Sequence, residues 1–230
     1  MQGKWLPVIS GLFVGILLIS NIASVKFVEI WKFTFDGGTI LFPLSYIFGD
    51  ILTEVYGYKA SRKVIWTGFI SAAVMALCLW FVGTLKAPAM NEWGEFEDQA
   101  YARILAPVGR IVLASLIAFV AGEFSNSYIL AKLKIFTKGR FLWSRTISST
   151  LVGQGVDTAV FCLIAFLGAI PTSVLIAVIV SNYIFKCLFE ILATPLTYAV
   201  VIGLKKSEGM DVYDIGTNFN PFRIFEPAST

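Results

Sequence analysis

The chain alternates between long apolar stretches and short polar ones along most of its 230 residues. A helix that crosses the roughly 30 Å hydrocarbon core of a bilayer needs about 20 mainly apolar residues. Five stretches meet this requirement, and a sixth is shorter and contains two acidic residues, so that we expect it to cross as a tilted or broken helix. The five are residues 5–25, 63–85, 107–130, 148–169 and 173–204, and the sixth is residues 42–56. The pattern predicts an all-α, polytopic membrane protein with six transmembrane helices.

Two segments between the apolar stretches have other patterns. Residues 31–42 alternate polar and apolar positions around Asp36-Gly37-Gly38, which predicts a short β-hairpin between helices 1 and 2, or a plain connecting loop. Pro43 suits the first turn of the helix that follows. Residues 95–105 form an amphipathic pattern that is typical of a helix lying along the membrane interface.

Charge asymmetry predicts the orientation, because cytoplasmic loops collect Lys and Arg. Basic residues follow the second, fourth and sixth spans, whereas the segment between the third and fourth spans contains the acidic residues Glu92, Glu95, Glu97 and Asp98. This alternation requires the short second span to cross and puts both termini in the cytoplasm. We therefore expect a transporter-like membrane domain over residues 1–206 and a polar cytoplasmic tail over residues 207–230. The first 24 residues also have the features of a secretory signal, which is the alternative interpretation of that segment.

Composition agrees with a membrane location and excludes several kinds of chemistry. The chain is 57% hydrophobic and 14% charged, with a mean hydropathy of +0.78. A net charge of +3 suggests no direct nucleic-acid binding. The absence of histidine excludes a histidine proton relay or catalytic dyad, and the three cysteines have no C-x-x-C spacing. We predict no metal and no cofactor.

Polar residues recur inside the predicted spans at helical spacing. Charged groups at mid-membrane are costly and usually face a cavity, although small and polar residues also serve helix packing. The residues at i, i+3 or i, i+4 spacing are Glu123 with Asn126, Gln154 with Asp157, Asp50 with Glu54, and Lys186 with Glu190. Lys186 and Glu190 could neutralise each other, whereas Asp157 has no basic neighbour in its own helix.

These side chains suggest the chemistry of a ligand. A cavity with five acidic side chains and one lysine suits a cation or a ligand rich in hydrogen-bond donors. Neighbouring aromatic residues favour a flat heterocycle, such as a nucleobase-like compound or a fused-ring vitamin. A proton-coupled mechanism would need a carboxyl group that holds a proton inside the membrane, and the sequence does not demonstrate one.

Four segments together resemble the queuosine precursor transporter family, within the wider vitamin uptake transporter group. They are FPLSYIFGDILTEVYGYKASRK, GEFSNSYILAKLK, RTISSTLVGQGVDTAVF and the pattern DVYD…NFNPF in the tail. The resemblance implies an inner-membrane importer of six helices that takes up cyano- or aminomethyl-substituted deazaguanine, or queuine, for queuosine salvage in tRNA. It also implies a fold like that of the vitamin-binding subunits of energy-coupling-factor transporters.

The side chains divide into candidate substrate-binding and candidate gating groups. We expect Asp157 or Glu123 to bind the guanine-like edge, and Gln154 or Asn126 to donate to the ligand carbonyl. Asn21 and Asn182 are further candidates for binding, as are the aromatic residues Tyr128 and Phe161. Asp50, Glu54, Lys186 and Glu190 are candidates for a gating, proton or cation site.

Other functions explain the pattern less well. Gly49-Asp50 lacks the full motif of an intramembrane aspartyl protease, so we predict that the protein is not an enzyme. A substrate-binding subunit that depends on an ATP-hydrolysing module remains an alternative to a self-sufficient carrier. The small size of the chain makes a homodimer plausible.

Overall fold

The computed structural model describes residues 3–24, 26–30, 33–88, 92–105, 109–168 and 171–223. Within these ranges the chain forms seven helices and one pair of strands. In chain order the elements are α1 (Leu6–Ala23), β1 (Phe27–Ile30), β2 (Phe33–Asp36), α2 (Gly38–Tyr56), α3 (Tyr58–Thr84), α4 (Glu92–Leu105), α5 (Gly109–Phe136), α6 (Leu142–Phe166) and α7 (Thr172–Glu208).

Five of these helices are long and apolar enough to cross a membrane: α1, α3, α5, α6 and α7. The mean hydropathy of their most apolar segments lies between 1.4 and 2.2. Large apolar side chains such as Leu77, Trp80 and Leu192 are exposed at the surface of the bundle. Apolar side chains at such a surface suit contact with lipid, so the chain is a multi-pass membrane protein.

Two short antiparallel strands connect α1 to α2. β1 pairs with β2 in a register that sets Phe27 opposite Asp36. The predicted turn at Asp36-Gly37-Gly38 is wrong, because Asp36 ends β2 and α2 begins at Gly38. Gly37 has helical dihedral angles, and a Cβ at this position would lie 2.6 Å from the carbonyl oxygen of Ala23. Close packing against the end of α1, and not a turn, therefore requires glycine here.

Helix α2 runs antiparallel beside α1. At one end, the Ser20 hydroxyl donates to the carbonyl oxygen of Gly38 at 3.1 Å. At the other end, the Tyr56 hydroxyl donates to the Glu208 carboxylate at 2.8 Å, and the backbone N–H of Trp5 donates to the same carboxylate at 2.6 Å. We call these two ends of the bundle the hairpin end and the tail end.

The interior of α2 departs from an ordinary apolar span. Pro43 lies inside the helix. The sequence predicted that it lies in the first turn, and this prediction is wrong. Because proline has no N–H and its ring crowds the preceding turn, it weakens the helix between its start and this residue. Asp50 and Glu54 lower the hydropathy of α2, which is not among the five apolar candidates.

Helices α5 and α6 approach closely at a pair of glycines. A Cβ on Gly122 would lie 3.1 Å from the carbonyl oxygen of Gly153, and a Cβ on Gly153 would lie 3.1 Å from that of Gly122. Small residues allow this separation between membrane helices. The contact brings the polar faces of α5 and α6 to the same depth in the bundle.

Helix α4 covers the segment for which the sequence predicted an amphipathic helix. It packs against the hairpin end of α3, where the Tyr101 hydroxyl donates to the carbonyl oxygen of Leu79 at 3.1 Å. The Asp98 carboxylate accepts a hydrogen bond of 3.0 Å from the backbone N–H of Ala87. These bonds join α4 to the end of α3 and the loop that follows it.

The tail after α7 has no helix or strand in residues 210–223, as expected of an irregular segment, but it is firmly packed. Both carboxylate oxygens of Asp214 accept from the backbone N–H of Tyr58, at 2.9 and 3.1 Å, and so satisfy the start of α3. Arg62 donates to the carbonyl oxygens of Asn218 and Asn220 at 2.9 and 2.8 Å. The tail therefore packs against the start of α3 at the tail end of the bundle.

Candidate functional site: a buried polar layer

Four helices contribute polar side chains to one layer in the middle of the bundle. Except for the half-buried Lys186, these side chains are at most 5% exposed. The members of this polar layer are Asp50 of α2, Glu123 and Asn126 of α5, Gln154 and Asp157 of α6, and Lys186 and Glu190 of α7.

Helical periodicity explains the layer. On α5, α6 and α7 its members are spaced i, i+3 or i, i+4, so each helix presents them on one face. The contact between Gly122 and Gly153 turns two of these faces toward each other. Gly49 of α2 leaves room for Glu123, since a Cβ there would lie 2.6 Å from Oε2 of Glu123. The structure thus brings together Glu123, Asn126, Gln154 and Asp157, as the sequence predicted.

Two carboxylates of the layer bind the amide groups of its two amide side chains. Asn126 donates through Nδ2 to Oδ1 of Asp50 at 2.7 Å. Gln154 donates through Nε2 to Oε2 of Glu190 at 3.5 Å, and the Thr150 hydroxyl donates to the other oxygen of Glu190 at 2.9 Å. Asp50 and Glu190 are therefore engaged by neighbouring helices.

The lysine of the layer is paired across helices. Nζ of Lys186 lies 2.7 Å from Oδ2 of Asp157, and 4.8 Å from the centre of the Phe42 ring. The predicted alternative, in which Lys186 neutralises Glu190 within α7, is wrong. Asp157 lacks a basic neighbour in α6 and obtains one from α7. This ion pair lies on the hairpin side of the layer.

Several buried oxygen atoms of the layer have no hydrogen-bond partner among the described residues. They are both carboxylate oxygens of Glu123, Oδ1 of Asn126, Oε1 of Gln154 and, one turn from Gln154 on α6, Oγ1 of Thr158. Buried polar groups are nearly always paired, and each exception calls for an explanation. A ligand that brings its own N–H groups would satisfy these oxygens.

Aromatic side chains of α2 border the same layer. Tyr46 is fully buried, and its hydroxyl lies 3.5 Å from the carbonyl oxygen of Gly153. The Phe42 ring lies 5.9 Å from the Tyr46 ring. We did not predict Phe42, Thr150 or Thr158 as site residues, and we expected Tyr46 only as one of the neighbouring aromatic residues. The spacing of Phe42, Tyr46 and Asp50 at four-residue intervals is visible in the sequence.

Two predicted binding residues lie away from the layer. Asn21 donates to the carbonyl oxygen of Leu17 at 2.9 Å and accepts from the Ser115 hydroxyl at 3.4 Å, so that it joins α1 to α5. Tyr128 is 40% exposed, and its ring lies 5.2 Å from that of Phe219 in the tail. The structure gives neither residue a contact with the polar layer.

Two further predicted residues lie at the edge of the layer. Phe161 and Asn182 are each four residues from a member of the ion pair between Asp157 and Lys186, on the hairpin side. The Phe161 ring packs against Phe166 at 5.8 Å. Helical spacing therefore places both residues on the helix faces that carry the ion pair.

Glu54 belongs to a second cluster, nearer the tail end. Its Oε1 accepts from Arg145 at 2.7 Å and from Lys205 at 2.6 Å, and Lys134 lies 3.7 Å from the same oxygen. Asp211 of the tail contacts Lys134 at 2.6 Å and Lys205 at 2.9 Å. We call these five side chains the Glu54 network. The structure therefore separates Glu54 from Asp50, which the sequence grouped as one gating site.

No group of three or more His, Cys, Asp or Glu side chains in the described ranges is arranged to hold a metal ion.

Membrane-crossing helices around a buried and incompletely paired polar layer are the features of a membrane transporter.

The comparisons with known proteins agree with this class. The family model described as "Putative vitamin uptake transporter" matches residues 36–200, which include every member of the polar layer. The chain belongs to this family of vitamin uptake transporters. It is 31% identical over 193 residues to a Bacillus subtilis protein named "Probable queuosine precursor transporter", with 82% of each chain covered. It is 25% identical over 180 residues to the "Queuosine precursor transporter" of Escherichia coli, with 77% of each chain covered. No solved structure matches the chain.

Proposed function

We propose that this protein imports queuosine precursors, namely cyano- or aminomethyl-substituted deazaguanine or queuine, for the salvage of queuosine in tRNA. The names of its relatives support the substrate class. The observation that carries the proposal is the set of buried oxygens in the polar layer that lack donors. A deazaguanine carries a ring N–H and an exocyclic amine on one edge, which are the donors that such oxygens need.

Glu123 is the best candidate for binding the guanine-like edge. A carboxylate can accept from the ring N–H and the exocyclic amine together, in the way that acidic side chains recognise flipped bases. Both oxygens of Glu123 are available for this, whereas Asp157, the other predicted candidate, is engaged by Lys186. The rings of Tyr46 and Phe42 would stack on or border the heterocycle.

We propose that α2 is a sixth crossing. Its start contacts the C-terminal end of α1 and its last residue contacts the C-terminal end of α7, which supports a path across the whole membrane despite its lower hydropathy. Six crossings give the charge alternation described above, with both termini in the cytoplasm. The membrane would be the inner membrane of a bacterium or archaeon. A homodimer and a likeness to the vitamin-binding subunits of energy-coupling-factor transporters remain predictions.

Alternating access requires that the site be closed at one end and then at the other. The ion pair of Lys186 and Asp157 on the hairpin side and the Glu54 network on the tail side are the barriers that we propose. Helix α2 contacts both, and Pro43 weakens its hairpin end, so α2 is the candidate moving element. Proton coupling would require a carboxyl group of the layer to change its protonation state.

The test is uptake in a bacterial host that cannot make queuosine precursors, lacks its own precursor transporter and contains no energy-coupling ATPase module. Expression of this protein should restore queuosine in tRNA at low external precursor concentration. Glu123→Gln should abolish the effect. Ser125→Ala is the matched control, because the Ser125 hydroxyl donates within its own helix to the carbonyl oxygen of Ala121. No queuosine with the wild-type protein would contradict the proposal, unless adding the ATPase module restored it, which would identify the alternative class.

A further inference from the structure

The orientation of two amide side chains determines what the polar layer can recognise. An ionised carboxylate only accepts hydrogen bonds, so it must face the NH₂ group of a neighbouring amide. Asp50 faces Nδ2 of Asn126, and Glu190 faces Nε2 of Gln154. The amide oxygens of both residues are left without a described partner. The two carboxylates therefore fix which end of each amide remains available to a ligand.

This arrangement narrows an expectation from the sequence. We expected Gln154 or Asn126 to donate to the ligand carbonyl, but one N–H of each NH₂ group is already bound within the protein, so that only the second N–H of each remains for a ligand. Most atoms of the layer without a described partner are acceptors, namely the carboxylate oxygens of Glu123 and the amide oxygens of Asn126 and Gln154. The Thr158 hydroxyl can donate, and it suffices for a single ligand carbonyl.

The charge of the layer favours the same kind of ligand. Its side chains include four carboxylates, those of Asp50, Glu123, Asp157 and Glu190, and one ammonium, that of Lys186. The ammonium is held by Asp157 at 2.7 Å. Ionised acidic groups in a low-dielectric interior favour a positively charged partner, and a bound cation in turn favours the ionised form of the acids beside it.

We propose that Asp50 and Glu190 are positioning residues that make the layer an acceptor-rich site, and that its preferred ligand is a donor-rich cation. Among the deazaguanines this is the aminomethyl compound, which carries a primary ammonium group. The cyano compound replaces that group with an acceptor, which would face the oxygens of the layer. This inference rests on the proposed function and specifies which precursor the site prefers.

The first test needs no variant. The full-length protein, purified in lipid nanodiscs, is titrated with the aminomethyl compound, the cyano compound and guanine. The aminomethyl compound should bind at least about tenfold more tightly than the cyano compound, since a charge-assisted hydrogen bond replaces a repulsive contact. Equal binding, or tighter binding of the cyano compound, would overturn the inference and leave the proposed function standing. Binding of none of the deazaguanines would overturn the proposed function itself.

The second test addresses the positioning role. Asp50→Asn and Glu190→Gln keep the shape of the side chain but allow the neighbouring amide to turn. In each variant the preference for the aminomethyl over the cyano compound should fall by about tenfold, because the layer loses a negative charge and gains a donor. Ser125→Ala should leave the preference unchanged. A variant that weakens both ligands by the same factor would show a merely structural role and would contradict the positioning claim.

Discussion

The polar layer and the Glu54 network are two buried clusters in the same bundle, yet they differ in how their charges are matched. In the network, one carboxylate oxygen of Glu54 accepts from Arg145 and Lys205, with Lys134 nearby. In the layer, the Glu123 carboxylate accepts no hydrogen bond from any residue that the structure describes. One buried acid has three basic side chains within 4 Å, and the other has no described hydrogen-bond donor.

The difference separates a cluster whose charges pair with one another, which we propose as a barrier, from a binding site. Burying an ion pair costs desolvation energy and is tolerated when the geometry and additional hydrogen bonds offset that cost. At Oε1 of Glu54 the network meets this condition with groups of the protein itself, and Asp211 of the tail pairs with two of its lysines, whereas Oε2 of Glu54 and Nε of Arg145 have no described partner. The polar layer does not, which leaves its oxygens available to a ligand from outside. The same substitution in the two clusters should therefore have opposite effects.

The largest effect is expected from Glu54→Gln. The change removes the acidic group that Lys134, Arg145 and Lys205 share and leaves only Asp211 beside the two lysines. Removal of one partner of a buried ion pair typically costs about 3–5 kcal/mol. We expect a large decrease in the free energy of unfolding, measured by thermal or denaturant unfolding in detergent. Correctly folded protein that remains should still bind the ligand. Unchanged stability would mean that the network does not hold the tail end together.

Glu123→Gln should have the opposite signature. Ligand affinity should fall by about 100-fold, or roughly 3 kcal/mol, because two hydrogen bonds to a charged group are lost. Thermal stability without ligand should stay equal or rise, since a buried acid without a donor is replaced by a neutral side chain. Calorimetry and unfolding of the same preparation measure both quantities. Loss of stability together with affinity would assign Glu123 a structural role like that of Glu54.

Much of the helical framework could be predicted from the sequence. The apolar stretches correspond to α1, α3, α5, α6 and α7, since a helix in lipid must be apolar over its length. The helical faces that carry Glu123 with Asn126, and Gln154 with Asp157, were also predictable, because spacing within one helix decides them. These predictions depend only on local sequence.

Contacts between helices could not be predicted in the same way. The sequence suggested Glu190, four residues away, as a partner for Lys186. In the structure Lys186 pairs with Asp157, because the packing of α6 against α7 decides its partner. The Asp36-Gly37-Gly38 sequence has the composition of a turn, yet Gly37 is required by the approach of Ala23. The orientation of the Asn126 amide depends on Asp50, which is 76 residues away along the chain. Each of these features requires the packed bundle.

An effect of intermediate size is expected from Gly153→Ala. A new Cβ would lie 2.7 Å from Cβ of Asn126 and 3.1 Å from the carbonyl oxygen of Gly122, so α5 and α6 would have to move apart. Overpacking of this kind typically costs about 1–3 kcal/mol, and it should also disturb ligand binding by moving two faces of the layer. Gly155→Ala is the matched control, because its Cβ would meet Tyr183 at an ordinary distance of 3.5 Å. Equal effects of the two variants would argue against a special role for the close contact.

The smallest effect is expected from Asn21→Ala, which tests whether the binding site is confined to the polar layer. Asn21 contacts Leu17 and Ser115 and no member of the layer in the described structure. Its removal should change ligand affinity less than about twofold, because substitutions away from a site usually have small effects on it. Asn126→Ala, which removes an amide oxygen of the layer, should weaken binding by about tenfold or more in the same titration. If Asn21→Ala weakened binding as strongly as Asn126→Ala, the site would have to extend to α1. The polar layer would then no longer differ from the paired polar groups around it.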